Sequence, residues 1–197
     1  MRWIFAFSIL VLQFLVPGPA SASGWGRSLA PAEFFAFCAK APGECRARGP
    51  IVRAVTMTAK RWAELQQVNR EVNATIDQVS DMANYGKQDV WTIPANGRGD
   101  CEDIALLKRQ KLIRMGWPSS VLLMSVARDR QGEGHAILTV ATSSGDLALD
   151  NRTSRIVTDE ETGYYFYARQ SSASPLRWVA LAPDGAYRRN LEVAAIR

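Results

Sequence analysis

The sequence lacks several features that would place it in a large class of proteins. After residue 22 it has no apolar run approaching the roughly 20 residues that cross a membrane. Its net charge of +5 is spread along the chain, without the basic block and interleaved aromatic residues that nucleic-acid-binding proteins show. It has no internal repeat and no low-complexity tract. These absences favour a single domain over residues 23–197 with a core of its own.

The long apolar run of this chain lies at its start, from Trp3 to Val16. Arg2 precedes the run, Pro17-Gly18-Pro19 ends it, and Ala20-Ser21-Ala22 then forms the small-residue pattern that signal peptidase recognises. The run is too short for a comfortable membrane span. We therefore expect residues 1–22 to be a cleaved secretory signal peptide, with an uncleaved N-terminal anchor as the alternative.

Cysteines are few, since the chain has three. An exported protein enters an oxidising compartment, where Cys38 and Cys45 can close a small loop through Pro42-Gly43. The alternative is a pair of unrelated buried thiols. Pairing these two residues leaves Cys101 as the odd cysteine, and an odd cysteine in an exported protein needs an explanation.

The first half of the chain is predicted to be largely helical. Residues 24–50 carry Gly, Pro and the proposed disulfide, and we expect them to be mostly irregular. Apolar side chains then recur at spacings of three and four from about Ile51 to Met82, which predicts an amphipathic helix of about thirty residues with at most one break. Asn69 and Asn73, one turn apart on this helix, are expected to be exposed.

A second helix is predicted from Asp100 to Met115, because Asp100 is a good N-cap residue and Gly116 ends the pattern. The remainder of the chain is predicted to form strands, at Val121–Ala127, His135–Ala141, Asp146–Leu149, Tyr164–Ala168 and Arg177–Leu181. Helices that come first and antiparallel strands that follow are typical of the α+β class.

The odd cysteine, Cys101, lies at the start of the second helix in the stretch GDCED. Unpaired backbone N–H groups and the positive end of the helix dipole favour a thiolate there, and the same N–H groups can bind an oxyanion. The neighbouring Asp100, Glu102 and Asp103 act in the opposite direction, since carboxylates hold the proton on a thiol. Cys101 is thus either inert or close to a positive charge.

A nucleophilic thiol needs a base, and the chain has a single histidine, His135, at the predicted start of a strand. Asp150 ends the next predicted strand. If the two strands form a hairpin about the turn at residues 143–145, His135 and Asp150 lie opposite each other within hydrogen-bond reach. Cys101, His135 and Asp150 then form a triad of nucleophile, base and orienting group. Taken singly, each has a commoner role as a buried thiol, a surface histidine or a turn residue.

These motifs resemble those of the bacterial transglutaminase-like cysteine proteinases, periplasmic proteases that include the LapG-type adhesin-cleaving enzymes. GDCED opens a helix, HA opens a strand and LDN ends one. The cysteines after FF, the W-x-x-L-x-x-V-N helix and D-x-W-x-x-P at Asp89–Pro94 also fit. The resemblance implies a transglutaminase-like, papain-related fold and a periplasmic endopeptidase, with Cys101 as nucleophile, His135 as base and Asp150 as orienter.

The same resemblance implies a calcium ion bound through Asp100, Glu102 and Asp103. Carboxylate oxygens are the ligands that calcium prefers, and a bound cation would neutralise the acids beside the thiol. The alternative is a helix N-terminus that simply favours acids, because no calcium loop of the EF-hand kind is present.

Trp91 lies ten residues before Cys101. It either lines the cleft or helps to form the oxyanion site, or it is a core aromatic residue.

The adhesin-cleaving relatives imply a large surface protein as substrate. They leave open whether a receptor in the inner membrane recruits or restrains the enzyme.

Two other functions remain open. A protein amidase or acyltransferase would use the same acyl-thioester, and nothing in the sequence fixes whether water or an amine receives the acyl group. A catalytically retired, calcium-dependent binding module is the other alternative, and the complete set of Cys, His and Asp argues against it.

Overall fold

The computed structural model describes residues 30–181, so the predicted signal peptide lies outside the described residues. Four helices are present in this part of the chain: α1 (Ala32–Lys40), α2 (Ala59–Thr75), α3 (Asp81–Tyr85) and α4 (Cys101–Arg114). The strands are β1 (Asp77–Gln78), β2 (Arg98–Gly99), β3 (Leu122–Arg128), β4 (Gly134–Thr142), β5 (Gly145–Leu149), β6 (Val157–Thr158), β7 (Tyr165–Ser171) and β8 (Ser174–Ala180).

Six of the strands form one antiparallel sheet in the order β6-β5-β4-β3-β7-β8. Helix α4 packs against β3 and β4 in the middle of this sheet, and α2 packs against α4. Their shared core contains buried aliphatic side chains, among them Leu65, Ile104, Leu122, Met124 and Leu138. The predicted α+β class is confirmed, with the helix that begins at Cys101 lying on the sheet that carries His135 and leads to Asp150.

Helix α1 contradicts the prediction that residues 24–50 are mostly irregular. Phe34, Phe37 and Cys38 lie at spacings of three and four and form its buried face. Their burial against the core stabilises a helix in a segment whose Pro and Gly residues favour irregular structure. A disulfide joins Cys38, near the end of this helix, to Cys45 in the following loop, as expected.

The predicted helix of about thirty residues is shorter and ends earlier than expected. It begins at Ala59, where Thr58 caps it by accepting a hydrogen bond from the Arg61 amide at 3.2 Å. It ends at Ile76, which has extended dihedral angles. The next two residues, strand β1, pair in parallel with β2 just before Cys101. This long-range pairing competes with the helical pattern and separates α2 from α3.

The predicted strands are all present with small shifts at their ends, and the structure adds three strands of two residues, β1, β2 and β6. The hairpin of β4 and β5 turns more tightly than expected, because Thr142 pairs with Gly145 and only two residues lie between them. No helix in the described part of the chain combines the length and apolar character needed to cross a membrane.

Candidate active site

Cys101 is the first residue of α4, as the sequence predicted. The helix begins with a hydrogen bond from the Ile104 amide to the Asp100 carbonyl, at 3.1 Å. The amides of residues 101–103 have no acceptor four residues earlier within the helix, so they are the groups that can bind an anion. The Asp100 side chain makes no capping hydrogen bond and instead accepts one from the Asp81 amide at 3.3 Å. The prediction that the Asp100 side chain caps this helix is therefore wrong.

His135 and Asp150 are joined by a hydrogen bond of 2.9 Å between Nε2 and Oδ1. Their side chains are 1% and 5% exposed, so water competes little with this bond. The register differs from the expected one: Leu138 pairs with Leu149, which places His135 opposite position 152. Because side chains alternate between faces with a period of two, this shift of two residues keeps His135 and Asp150 on the same face.

Asp150 accepts two further hydrogen bonds, from the Arg152 amide at 3.0 Å and from the Tyr164 hydroxyl at 2.8 Å. Burial acts to raise the pKa of Asp150, but the hydrogen bonds from His135, the Arg152 amide and Tyr164 outweigh it and hold the pKa at about 2. Asp150 is therefore ionised at neutral pH and accepts the Nε2 proton of His135. The remaining ring nitrogen, Nδ1, can act as the base.

Tyr164 is a member of this site that reasoning from the sequence missed as a functional residue. Its ring lies edge-on to the His135 ring with a centroid distance of 5.3 Å. It therefore contacts both members of the pair, through its hydroxyl and its ring. The residue follows Gly163 in a turn before β7, and the sequence pattern predicted only that it begins a strand.

Cys101 lies beside the start of β4, since α4 packs against this strand and the backbone amide of Ala136 acts to lower the pKa of the Cys101 thiol. The structure thus brings the three predicted triad residues to one place. The Cys101 thiol also contacts the Glu102 carboxylate, with 3.1 Å between Sγ and Oε2. Burial and the Glu102 charge raise the pKa of Cys101 well above its usual value, and the Ala136 amide acts against them. The carboxylates hold the proton on this thiol unless a positive charge offsets them.

The acids beside Cys101 belong to a larger cluster than expected. Asp81, Asp89 and Glu102 bring one ligand oxygen each within 4.8 Å of one another, and Asp81, Asp100 and Asp103 do the same. Asp81 belongs to both groups and was not predicted, and Asp89 was noted only within the D-x-W-x-x-P motif. These five residues are called the acid cluster below.

Burial is the main cause of raised pKa values in the acid cluster, and neighbouring carboxylates add to it. The pKa of Glu102 is raised to about 9, that of Asp103 to about 8 and that of Asp89 to about 6. A Cβ atom at Gly99 would lie 2.8 Å from the Asp103 Cβ atom, so the glycine of GDCED lets this acid pack closely. Ionising such a crowded, buried cluster is costly without a cation.

The acid cluster fits a hard divalent cation. The Oδ1 atoms of Asp81 and Asp100 and the Oδ2 atom of Asp103 are buried without a hydrogen-bond partner among the described residues. Calcium binds oxygens at about 2.3–2.6 Å, so ligand atoms on opposite sides of one ion are about 5 Å apart. The mutual distances within each group of acids are within this limit.

Trp91 is buried between Phe34 and Trp178, with ring centroid distances of 5.5 and 6.3 Å. These contacts are those of a core aromatic. Its role at the cleft or the oxyanion site stays a prediction. The backbone on either side of Trp91 donates hydrogen bonds to the acid cluster. The Val90 amide donates to Asp81, and the Thr92 amide donates to Asp103.

The prediction that the asparagines of α2 are exposed is wrong. Asn69 is fully buried, and its amide donates to the carbonyls of Thr153 and Ser154 at 3.4 and 3.2 Å. Asn73 donates to the carbonyl of Asp150 at 2.9 Å. The two side chains therefore hold the loop that follows β5 against α2 and fix the backbone of the triad aspartate.

Comparison with protein-family models matches residues 25–186 to the family described as bacterial transglutaminase-like cysteine proteinase BTLCP. A solved structure of LapG from Legionella pneumophila is 25% identical over 56% of this chain, which spans 64% of that chain, with a TM-score of 0.50. Another, described as calcium-bound, is 22% identical over 68% of this chain and 80% of that chain, with a TM-score of 0.51. None of the curated proteins compared with this chain matches it.

Proposed function

The chain belongs to the bacterial transglutaminase-like cysteine proteinase family, and from that premise we propose that it is an exported cysteine endopeptidase acting through Cys101, His135 and Asp150. The observation that carries the proposal is the buried 2.9 Å hydrogen bond between His135 and Asp150, next to a cysteine at a helix N-terminus. This bond fixes the orientation of the imidazole and leaves Nδ1 to exchange a proton with the thiol.

Acylation begins when His135 takes the Cys101 proton and the thiolate attacks the carbonyl carbon of a peptide bond. The carbonyl oxygen becomes an oxyanion, and the free amides at the start of α4 stabilise it. The imidazolium of His135 then gives its proton to the leaving amine as the carbon–nitrogen bond breaks. The products are a thioester on Cys101 and a new N-terminus.

Deacylation uses the same groups in the reverse roles. His135 takes a proton from water, and the resulting hydroxide attacks the thioester carbon. The carbon–sulfur bond breaks, the proton returns to Cys101 and a carboxylic acid is released. Asp150 stays ionised throughout, because its low pKa keeps it a hydrogen-bond acceptor for the Nε2 proton.

The acid cluster is proposed to hold calcium, with Asp100, Glu102 and Asp103 as ligands together with Asp81 and Asp89. A bound calcium ion supplies positive charge at the start of α4, where it offsets the carboxylates that raise the pKa of Cys101. The unpaired buried oxygens of Asp81, Asp100 and Asp103 support this assignment.

The proposed location is the periplasm, supported by the signal-peptide pattern of residues 1–22 and by the disulfide of Cys38 with Cys45. The proposed substrate is a large surface protein of the adhesin type, and an inner-membrane receptor is a candidate regulatory partner. Both come from the resemblance to the adhesin-cleaving members of the family.

The function is tested by comparing cells that carry the wild-type protein with cells that carry Cys101→Ala. The N-termini of periplasmic and surface proteins are labelled and identified by mass spectrometry. We expect at least one internal N-terminus that depends on Cys101, which names both the substrate and the bond. Deamidated or cross-linked side chains without a new N-terminus would identify an amidase or acyltransferase instead. Identical protein termini and side chains in the two strains would refute the proposal.

A further inference from the structure

Lys108 is a buried cation on the helix that carries the nucleophile. It lies two turns after Cys101 on α4 and is 0% exposed. Its Nζ atom donates a hydrogen bond to the carbonyl oxygen of Leu149 at 3.3 Å. Leu149 is the last residue of β5 and directly precedes Asp150. One side chain therefore connects the helix of the nucleophile to the strand end that presents the triad carboxylate.

A single carbonyl contact is poor compensation for a fully buried ammonium group. Lysine has three N–H donors, and an ammonium group that leaves water without a charged partner is strongly destabilised. Burial lowers the pKa of Lys108 to about 7, and the negative charge of Asp150 acts in the opposite direction. The negative charge of Asp150 thus stabilises the buried ammonium group of Lys108.

Groups from three other parts of the fold lie around Asp150. His135 on β4 and Tyr164 before β7 donate hydrogen bonds to its carboxylate, and Lys108 on α4 donates to the carbonyl of Leu149, the residue before it. The Arg152 amide donates to it as well, while the Arg152 guanidinium is bound to Asp129 at 2.7 Å. His135 loses its charge when it gives its proton to the leaving amine. A buried carboxylate then needs another cation to remain ionised.

We propose that Lys108 is a positioning residue for the catalytic pair: it fixes the backbone at Leu149 and stabilises ionised Asp150 while His135 is neutral. This role rests on the proposed function of Cys101, His135 and Asp150. Lys108 does not touch the substrate. It acts on the reaction through Asp150, whose charge and position set the orientation of the imidazole.

Arg109, the next residue on α4, provides a matched control. It is also buried, at 3% exposure, and donates to the carbonyls of Leu122 and Glu44 at 3.0 and 2.9 Å. Glu44 is the charged group that acts on Arg109. Neither of these two hydrogen bonds of Arg109 is to a residue of the triad. Replacing Arg109 therefore removes a buried cation from the same helix without touching Asp150.

The test uses the single histidine of the chain, which gives one imidazole signal in an NMR titration. In Lys108→Met the side-chain length is nearly kept and the positive charge near the pair is lost. We expect the imidazole signal to titrate at a higher pH than in the wild type, because a repelling cation has been removed. Arg109→Met should lower the melting temperature and leave the pKa of His135 unchanged. An unchanged pKa in Lys108→Met, or an equal change in both variants, would overturn the proposal.

A second measurement decides the matter if Lys108→Met does not fold. The wild-type protein and Asp150→Asn are labelled with ¹³C-lysine, and the pH titration of the buried lysine is followed in each. We expect its pKa to be lower in Asp150→Asn, since the stabilising carboxylate is gone. Equal lysine pKa values in the two proteins would show that Lys108 and Asp150 do not interact. Neither experiment measures cleavage, so failure here is distinguishable from failure of the proposed function.

Discussion

The hydroxyl of Tyr164 is predicted to stabilise the fold through the charge of Asp150. The three donors on this carboxylate hold its pKa at about 2. The difference from an ordinary aspartate, whose pKa is about 3.9, corresponds to about 3 kcal/mol. Tyr164 is one of the three donors, so its share is about 1 kcal/mol. We therefore expect Tyr164→Phe to lower the free energy of unfolding at pH 7 by about that amount.

The sign of the pH dependence follows from the lowered pKa. A carboxylate with a depressed pKa contributes its stability above the unfolded pKa of about 3.9, and the contribution is lost as the pH falls through about 2. The unfolded pKa is the same in wild-type protein and Tyr164→Phe, so their difference in stability should be constant from pH 7 to about pH 3 and shrink as the pH falls towards about 2. Urea unfolding at each pH, down to the lowest pH at which the wild type is folded, measures it.

Tyr165→Phe is the control for this prediction. The Tyr165 hydroxyl is buried without a hydrogen-bond partner among the described residues, so its removal should be neutral or stabilising. Both variants remove one hydroxyl from neighbouring tyrosines and keep the ring. An equal loss of stability in the two variants, or a loss in Tyr164→Phe that is the same at pH 7 and at about pH 2, would refute the charge-assisted role of Tyr164.

Three further predictions test other parts of the site and its support. In calcium-containing buffer, Cys101 should react with iodoacetamide at neutral pH, and His135→Ala should slow the reaction strongly; equal rates would contradict the ion pair. Calcium should raise the melting temperature of the wild type more than magnesium does, and Glu102→Gln should reduce this increase; a variant that responds like the wild type would place the ion elsewhere. Reducing the bond between Cys38 and Cys45 should cost about 2–3 kcal/mol, and three free thiols in unreduced protein would disprove the pairing.

The parts of the site that could be predicted from the sequence depend on local patterns. The bounds of α4 were predicted from Asp100 and Gly116, and the start is right although the Asp100 side chain does not cap the helix. The His135–Asp150 contact depends on a hairpin whose strands are adjacent in the chain. The predicted register was wrong by two residues and the contact was still found, because an even shift keeps both side chains on one face.

The missed features depend on contacts between distant parts of the chain. Asp81 joins the acid cluster because β1 pairs with β2 and places α3 beside Asp100. The burial of Asn69 depends on carbonyls more than eighty residues away. Periodicity describes a helix and its apolar face, but it does not show which polar residue on that helix will meet a carbonyl of another segment.

The charges around α4 bear on why acids can lie beside the proposed catalytic thiol. The acid cluster occupies the loop side of the helix start, with Asp81 and Asp89 approaching from the preceding segments. The ionisable bases lie on the sheet side, where His135 and Lys108 share the carboxylate of Asp150. Cys101 stands between the two sets, in contact with Glu102 on one side and with the Ala136 amide on the other. A cation in the acid cluster acts most strongly on the thiol, because Glu102 contacts the Cys101 sulfur directly and electrostatic interactions weaken with distance. Calcium would therefore act on the thiol and leave the orientation of the imidazole to Asp150, Tyr164 and Lys108.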